Sequence, residues 1–486
     1  MNRRDMLGLG AGALSLSLAG CTDALDSVNP MSSSSTAGWT GYRGDPANTG
    51  VRDGDAGPGD SLSMEWEVTH EDILYERQEI DAEEMDLPPM AQATTYPVLT
   101  DDVVAWTQGY TWIEDGGSER ETVVVAADVE DGSVRWVEPF LEDPPGDSWF
   151  APMVHDGSLL VPNLTDGTLG LTVHDPEDGS EQDRHEWGLS LNANQPVVAD
   201  GTVFVEEGEP QDARLYAFDA SDGTSLWDVS TSAPRPPLPE LAVADDAVLS
   251  FDGEDGAMVA RDVDSGEERW RARVELPTSI ATGRPGRLGP ATVAGSGIFA
   301  GGSLEQLSQR DIGTVAAFDP DEGAATFTHV PPGTEEGDPF EVLLGPDANE
   351  ADLARIEEAY FDGEGFASVN CHPLVVDDRV LATGWGEVGD ATGTIVYAMD
   401  PEAEEVVWGV EVDSESYAPV AAGDVVYVLT RDGVEAVSTD GEHLDSLVLE
   451  SDAHTVDEHR PSVEFSPALG HGTLFVPAMH GIVAVE

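Results

Sequence analysis

The chain of 486 residues contains 96 acidic residues against 21 basic ones, all of them Arg, which gives a formal net charge of −75. Its 40% hydrophobic and 7% aromatic residues can form a large core, which excludes a globally disordered protein. Such a charge opposes folding at low salt, but near molar salt the Debye length falls to about 3 Å. The composition therefore predicts a halophilic protein, and the scarcity of basic residues excludes nucleic acid as a partner.

Residues 1–20 form a targeting segment. Arg3 and Arg4 precede an apolar stretch that ends at Ala19 and that, at about 13 residues, is too short to cross a bilayer. The Arg pair resembles a twin-arginine export signal, and residues 18–21 (LAGC) resemble a lipobox, in which the Cys thiol receives a lipid. We therefore predict lipidation at Cys21, a flexible tether over residues 21–38, and an extracytoplasmic protein held to the cell membrane by its lipid alone. A stray Cys behind a cleaved signal is the alternative.

Eight segments of the remaining chain share one pattern, in which an apolar strand, usually led by Pro, is followed by a tight acidic or Gly turn and a second apolar strand. They cover residues 97–106, 152–161, 196–205, 241–250, 290–300, 373–382, 419–428 and 467–476. A second hairpin follows each of the first seven segments, and most of the intervals suit one four-stranded propeller blade. The chain is therefore predicted to be all-β, an eight-bladed β-propeller over residues 39–486 with an insertion at 328–366.

The second hairpin of most repeats reads A-x-D-x-x-x-G-x-x-x-W, as in residues 217–227. The Asp can bond backbone amides of the turn, the Gly can take a positive φ, and the Trp is predicted to pack between adjacent blades. In residues 172–187 the terminal ring of this pattern is Trp187. The last blade lacks a final strand, and SLSMEWEV (61–68), with Trp66, is predicted to complete it and to close the ring.

This repeat resembles that of the pyrroloquinoline-quinone-like propeller family, and WTGYRGDPANTG (39–50) is similar to the start of the propeller in that family. The family includes quinoprotein dehydrogenases and assembly scaffolds, so the resemblance implies the fold and leaves the function open. In members that oxidise alcohols, a quinone lies with Ca²⁺ on the propeller axis against a disulfide between adjacent Cys, and Glu, Asn and Asp ligate the metal.

The dehydrogenase alternative receives little support from the residues. Cys371 lies between Asn370 and His372, so a disulfide between adjacent Cys cannot form. On a strand Cys371 faces away from both neighbours, which favours a buried structural Cys over a joint site. The Asp-rich turns lack the twelve-residue calcium-loop pattern. We therefore expect no catalytic residue, no metal site and no cofactor, with a quinone and Ca²⁺ kept as the alternative.

Loop lengths indicate which face binds a partner. Chain reversal places the A–B and C–D turns of every blade on one face and the B–C and D-to-A connections on the other, and the second set takes nearly all the extra length. It includes residues 67–93, 107–121, 271–287, 301–313, 328–366 and 383–393. Within the longest connection, residues 349–361 are predicted to be helical. Binding usually resides in long loops on a rigid scaffold, so the candidate contact residues are Tyr110, Trp112, Trp149 and Trp385. Rings that merely cover the rim are the alternative.

Asn163 begins the sequon Asn-Leu-Thr and is a candidate glycosylation site. Taken together, the sequence predicts a non-enzymatic binding or scaffolding lipoprotein at the cell surface, with a protein or cell-envelope partner. Two alternatives stay open, namely a quinone-dependent dehydrogenase and a carbohydrate or cell-envelope polymer-binding protein.

Overall fold

The computed structural model divides the chain into two units, residues 1–34 and 35–486. All described residues belong to the second unit. They are 38–77, 90–114, 117–142, 150–165, 168–190, 193–208, 213–231, 241–244, 246–252, 257–273, 285–288, 291–294, 297–307, 310–330, 342–343, 368–369, 373–388, 391–401, 405–412, 419–449, 466–478 and 481–486.

The strands form eight antiparallel blades, each of which runs A, B, C, D along a meander. Blade 1 contains β4 (Val98–Leu99), β5 (Val103–Glu114), β6 (Gly117–Asp128) and β7 (Val134–Glu142). Blade 2 contains β8 (Met153–His155), β9 (Ser158–Thr165), β10 (Thr168–His174) and β11 (Glu181–Leu189). Blade 3 contains β12 (Val197–Ala199), β13 (Thr202–Glu207), β14 (Arg214–Asp219) and β15 (Ser225–Ser230), and blade 4 contains β16 (Ala242–Ala244), β17 (Ala247–Asp252), β18 (Ala257–Asp262) and β19 (Glu268–Arg273).

Blades 5 to 8 continue the pattern. Blade 5 contains β21 (Thr292–Ala294), β22 (Gly297–Leu307), β23 (Arg310–Phe318) and β24 (Ala325–Val330). Blade 6 contains β27 (Leu374–Val376), β28 (Arg379–Val388), β29 (Ala391–Asp400) and β30 (Glu405–Glu411). Blade 7 contains β31 (Val420–Ala422), β32 (Val425–Leu429), β33 (Gly433–Ser438) and β34 (His443–Val448), and blade 8 contains β35 (Ala468–Gly470), β36 (Thr473–Ala478), β37 (Gly481–Val485) and β2 (Met64–Val68). Each A strand contacts the A strands of both neighbouring blades, so the eight A strands form a closed inner ring. The predicted eight-bladed propeller is confirmed.

The ring is closed by the N-terminal strand β2. It pairs antiparallel with β37, with Trp66 opposite Ala484 and Val68 opposite Ile482. The amide of Ser63 also donates to the carbonyl oxygen of Glu486 over 2.6 Å. One hydrophobic cluster runs without a break through blades 7, 8 and 1 across this junction. The sequence prediction that residues 61–68 complete the last blade is therefore confirmed.

Some blades carry additional strands. In blades 1, 5 and 6 the connection that precedes the A strand pairs with the B strand through β3 (Met90–Thr94), β20 (Pro285–Leu288) and β26 (Ser368–Val369). The strand β25 (Val342–Leu343) covers the outer edge of β24, and β1 (Val51–Arg52) pairs in parallel with β31. A helix that the sequence does not predict, α1 (His70–Arg77), follows β2. The helix predicted at 349–361 lies outside the described residues. No described helix is long and apolar enough to span a membrane.

The repeated Trp and Gly form a contact between neighbouring blades, which we call the Trp–Gly latch. Trp227 of blade 3 lies against Gly266 in the C–D turn of blade 4, and its indole Nε1 donates to the carbonyl oxygen of Val263 over 2.8 Å. Gly266 has a φ of 70°, and a Cβ built on it would lie 2.7 Å from the Trp227 ring. The position therefore needs Gly both for its backbone and for the close approach of the ring. The same contact joins Trp66 to Gly132, Trp136 to Gly179, Trp270 to Gly323 and Trp408 to Gly441.

Blade 2 differs from the sequence prediction. The residue that lies against the turn glycine Gly223 of blade 3 is His185, not Trp187. Within β11, His185 pairs opposite Leu171 and is the residue that lies at the turn glycine. Trp187 lies two residues further along the strand and makes a different contact, in which its ring stacks on Phe218 with ring centroids 5.0 Å apart. The predicted contact is thus present in blade 2 with an imidazole in place of the indole.

The Asp residues of the repeat stabilise the C–D turns. In blade 1 the Asp128 carboxylate accepts from the amide of Glu130, and the Asp131 carboxylate accepts from the amide of Ser133, both over 2.9 Å. A hydrogen bond from the Arg135 guanidinium lowers the pKa of Asp128. Equivalent bonds recur in the C–D turns of blades 2 and 3. The acidic turns are therefore structural, and they line the face that holds all A–B and C–D turns. We call it the short-turn face, and the opposite face the long-connection face.

Candidate functional site

The axis of the propeller is occupied by the chain's own residues 39–52, which we call the axial segment. Its carbonyl oxygens accept hydrogen bonds from backbone amides of five A strands, over N···O distances of 2.6 to 2.9 Å. The donor and acceptor pairs are Leu99 and Trp39, Val154 and Thr40, Val243 and Pro46, Val293 and Ala47, and Ala421 and Gly50. Blades 1, 2, 4, 5 and 7 are therefore tied to one short stretch of chain. Residues 39–50 are recognisable in the sequence as the start of the propeller, but their place on the axis is not predicted from it.

Two side chains of the axial segment also donate hydrogen bonds to five acceptors on the ring. Arg43 is fully buried, and its guanidinium donates to the Thr292 hydroxyl over 3.0 Å and to the carbonyl oxygens of Pro373 and Pro419 over 2.9 and 3.1 Å. The Asn48 amide donates over 3.1 Å to two carbonyl oxygens, those of Leu241 and Ala291. These acceptors lie at or just before the A strands of blades 4 to 7. Arg43 and Asn48 thus hold the axial ends of four consecutive blades together.

The residues on the axis do not fit a quinone with its calcium ion. That group would need an open axial cavity with carboxylate and amide oxygens, whereas the described axis is occupied by the axial segment, and Arg43 places a buried cation there. A guanidinium repels Ca²⁺, and burying both charges together is costly. Among the described residues no three His, Cys, Asp or Glu side chains come together as a metal site.

The long-connection face is uneven because three blades extend further than the others. The B and C strands of blade 1 have 12 residues each, and the B strands of blades 5 and 6 have 11 and 10, against 6 in blades 3 and 4. These are the same three blades in which β3, β20 or β26 adds a strand beside the B strand. In these three blades the sheet is both longer and one strand wider, so the hairpins pair with a neighbouring strand where they extend beyond the body of the propeller.

Three of the four predicted contact residues can be placed. Trp112 is opposite Glu119 in the extended part of the blade 1 hairpin, and Trp385 is opposite Thr394 and Ser368 in blade 6. Tyr110 is only 1% exposed and belongs to the hydrophobic cluster that runs through blades 7, 8 and 1. A partner on the surface of the propeller would therefore not reach the Tyr110 ring as it lies in this structure. Trp149 lies outside the described residues.

The remaining predicted positions are Asn163, Cys21 and Cys371. Asn163 lies in β9 with 6% of its surface exposed, and its Nδ2, the atom to which a glycan would be attached, is buried. Glycan addition there would have to precede folding. Cys21 and Cys371 lie outside the described residues, as do Asn370 and His372. Lipidation at Cys21 and the structural role of Cys371 stay predictions.

A buried acidic residue between blades 3 and 4 is missed by the sequence analysis. Glu206 is 1% exposed, and neither carboxylate oxygen has a hydrogen-bond partner among the described residues. Burial raises the pKa of Glu206 to about 7, and the negative charge of the nearby Asp252 raises it further. The Thr231 hydroxyl and the positive charge of Arg261 act to lower this pKa, but burial outweighs them. One signal in the sequence could have located it. Side chains of a strand alternate between the two faces of the sheet, so Glu206 lies on the same face of β13 as Phe204, which packs into the core between blades 3 and 4.

Charged groups of blade 4 surround this carboxyl. Arg271 forms ion pairs with Asp252 and, over 3.0 Å, with Glu268, and Arg261 lies 3.7 Å from Glu268. Both arginines are thus already paired with carboxylates of their own blade. This leaves Glu206 as the poorly solvated member of the group, which accounts for its raised pKa.

Comparison with known proteins supports the repeat type and the fold. Residues 119–315 match a family model described as outer membrane protein assembly factor BamB, from β6 of blade 1 to β23 of blade 5. No curated protein matches the chain. The quinohemoprotein alcohol dehydrogenase from Comamonas testosteroni is similar in structure with a TM-score of 0.54 and 14% identity, over 92% of this chain and 80% of that one.

Two further structures give weaker matches. BamB from Moraxella catarrhalis has a TM-score of 0.47 and 14% identity over 87% of this chain and 97% of that one. A europium-containing methanol dehydrogenase has a TM-score of 0.46 and 12% identity over 91% and 89%. At such identities a structural likeness shows only the fold. Residues 119–315 therefore carry BamB-like repeats, and the structural matches show the propeller fold.

Proposed function

We propose that the protein is an exported, lipid-anchored propeller that binds a protein or cell-envelope partner at the cell surface and catalyses no reaction. The observation that carries this proposal is the axial segment, because it occupies with the chain's own residues the place where a catalytic propeller would hold its cofactor. What remains for function is the long-connection face, with its extended hairpins in blades 1, 5 and 6. A rigid ring with long connections on one face suits recognition.

The match to an assembly factor supports a protein as the partner. The role of that factor in outer-membrane assembly is not carried over to this chain, because the salt-adapted composition suggests a cell without that membrane. What is carried over is the use of such a propeller as a binding scaffold. Protein binding without cofactor therefore agrees with the axial segment and with the repeat type of blades 1 to 5.

Replacement of Trp112 and Trp385 with Ala tests the proposed surface. Membranes of the producing cell are solubilised at molar salt, and proteins captured by the double variant and by the parent are compared by quantitative mass spectrometry. We expect a partner that the parent captures and the variant loses, with little change in melting temperature. The matched control replaces two exposed apolar residues on outer strands, Leu226 and Val448, with Ala, and capture should then be unchanged.

The same preparation separates the alternatives. Added pyrroloquinoline quinone with Ca²⁺ should give no saturable dye-linked oxidation of alcohols or sugars, and turnover would replace the proposal with the dehydrogenase. A partner fraction that is carbohydrate and not protein would establish the polymer-binding alternative. Equal capture by the parent and the Trp variant would move the binding surface away from the extended hairpins.

A further inference from the structure

The space between the facing sides of blades 3 and 4, which we call the seam, holds four buried side-chain atoms without a hydrogen-bond partner among the described residues. They are both carboxyl oxygens of Glu206, the hydroxyl oxygen of Thr231 and Nε of Arg261. Glu206 is opposite Leu215, and Leu215 is opposite Val229, so these side chains share the face of blade 3 that packs against blade 4. Buried polar atoms are nearly always bonded in folded proteins, so four unbonded atoms in one seam require an explanation.

Arg261 reaches the seam from β18 and is held loosely. Its guanidinium lies 3.7 Å from the Glu268 carboxylate and donates to the carbonyl oxygen of Gly266 over 3.5 Å, which is the outer limit of a hydrogen bond. Arg271, on the next strand, is held more firmly, because it donates to the two oxygens of Glu268 over 3.3 and 3.0 Å and also pairs with Asp252. Of these two cations, Arg261 is therefore the one whose contacts can be exchanged at little cost.

Glu206 can be protonated or ionised near neutral pH. Burial raises the pKa of Glu206 to about 7, although the positive charge of Arg261 opposes this effect. Within the described part of the chain, Arg261 is the cation that acts on Glu206, whereas the negative charge of Asp252 disfavours ionisation. A buried carboxylate without a partner is costly, so ionised Glu206 should attract the loosely held cation that already acts on it.

The other charged groups described around the seam are paired with each other, face elsewhere or are exposed. On the opposite face of blade 3 lie Glu207 and the ion pair of Arg214 with Asp228, and at the short-turn face of blade 4 lies Arg269, paired with Asp246 and Asp262. Arg273 shares a row of the blade 4 sheet with Asp252 through Ala257, but it is exposed at the outer end of that row. Arg273 is thus the alternative cation that an experiment has to exclude.

We infer that the seam is a proton-dependent joint in which Arg261 exchanges partners. With Glu206 protonated, Arg261 lies against Glu268 and the carbonyl oxygen of Gly266. When Glu206 loses its proton to solvent, the guanidinium turns to the new carboxylate and releases both. Gly266 is the glycine of the Trp–Gly latch on which the Trp227 ring lies. Loss of the proton therefore withdraws a bond from the latch turn and adds an ion pair between blades 3 and 4, near the long-connection end of β13. The joint does not depend on the binding of a partner.

Hydrogen exchange of the latch turn tests the exchange of partners. In the full chain at molar salt, amide exchange of residues 262–268 is measured by mass spectrometry at pH 5 and 8 and corrected for the intrinsic effect of pH. We expect exchange in this turn to be severalfold faster at pH 8. Residues 128–133 of blade 1 are the internal control, because Ala127 occupies there the position of Arg261. Glu206→Gln should give the same protection at both pH values, and Glu207→Gln, on the opposite face of the sheet, should behave like the parent.

The titration of Glu206 itself identifies the cation that it attracts. The infrared C=O stretch of its protonated carboxyl, isolated as the difference between the parent and Glu206→Gln, gives the midpoint. Arg261→Gln should raise this midpoint by roughly one to three pH units, because the carboxylate loses its cation. Arg261→Lys keeps the charge and should return the midpoint toward that of the parent, and Arg273→Gln should leave it unchanged.

Each readout can overturn the joint. Equal protection of residues 262–268 at pH 5 and 8 in the parent would show that the latch turn does not respond to the proton. A midpoint unchanged in Arg261→Gln would mean that water, and not Arg261, solvates the ionised carboxyl, and a midpoint raised by Arg273→Gln instead would assign the exchange to Arg273. If Arg261→Gln does not fold, the comparison of the parent with Glu206→Gln and Arg261→Lys still decides, because equal exchange of the latch turn in all three would contradict the joint.

Discussion

The two ends of the blades differ in how they are held together. At the short-turn face, one contact is repeated from blade to blade, namely a Trp ring on a turn glycine together with Asp residues that bond the turn amides. Toward the long-connection face, the blades are held by contacts that occur once, such as Arg43 across blades 5 to 7 and the charged group around Glu206 between blades 3 and 4. One end is built by repetition and the other by individual residues.

This difference indicates where specificity can reside. A repeated contact tolerates the loss of one copy in sequence, as the His185 variant of the latch shows in blade 2. A unique contact has no second copy, so its loss affects several blades at once. The same end carries the lengthened hairpins, which agrees with the proposal that the long-connection face of a rigid scaffold binds the partner.

The largest expected effect is that of Arg43→Ala. The substitution removes a buried guanidinium and leaves the Thr292 hydroxyl and the carbonyl oxygens of Pro373 and Pro419 without this donor, which should cost about 3–5 kcal/mol of unfolding free energy. Calorimetry and urea titration in molar salt measure the loss. Arg379→Ala is the control, since Arg379 also donates to a carbonyl of the next blade, that of Thr439, but is one-third exposed. A similar small loss in both variants would contradict a special role for the axial segment.

The blade pattern could be predicted from the sequence because it rests on local signals that recur. The hairpin segments, the turn Asp and Gly, and the missing Trp of the last blade, which pointed to Trp66, are all visible within about ten residues. The axial segment could not be predicted in this way. Arg43 is separated from Pro373 and Pro419 by 330 and 376 residues, and a backbone carbonyl acceptor leaves no mark on the sequence.

The candidate contact residues show a second limit. The length of the connection predicts Tyr110 at the surface, but Tyr110 is 1% exposed and lies in a hydrophobic cluster that also contains Ile73 of α1 and Ile482 of blade 8. Trp112, two residues further along the same strand, lies in the extended part of the hairpin. Burial depends on packing between elements that are far apart in the sequence, and that packing leaves no local signal. The sequence therefore predicts which connections are long better than it predicts which of their residues are exposed.

A smaller effect is expected from Gly266→Ala, which tests the repeated end. Ala at a φ of 70° costs about 1–2 kcal/mol, and its Cβ at 2.7 Å from the Trp227 ring adds overpacking of about 1–3 kcal/mol. Gly157→Ala is a matched control, because its φ is 76° but a Cβ there would meet nothing within 4 Å. The difference in melting temperature between the two variants measures the latch itself. Equal losses would show that only backbone strain matters at these turns.

The smallest of the three effects is that of Glu206→Gln, and it appears as a pH dependence. The pKa of Glu206 is about 7 in the folded protein against an ordinary value of 4.5, so the folded state binds a proton that the unfolded chain releases between these values. Stability from this group is therefore fully present below about pH 4.5 and is lost as the pH rises to about 7, by roughly 3 kcal/mol at most. Glu206→Gln, uncharged at every pH, should flatten the fall in melting temperature between pH 5 and 8. Glu207→Gln changes the charge of the next residue, which accepts from the Ser190 amide, and should keep the slope of the parent. A slope that survives in Glu206→Gln would assign the dependence to other groups, and a parent without any slope would mean that the charged partners of blade 4 stabilise the Glu206 carboxylate.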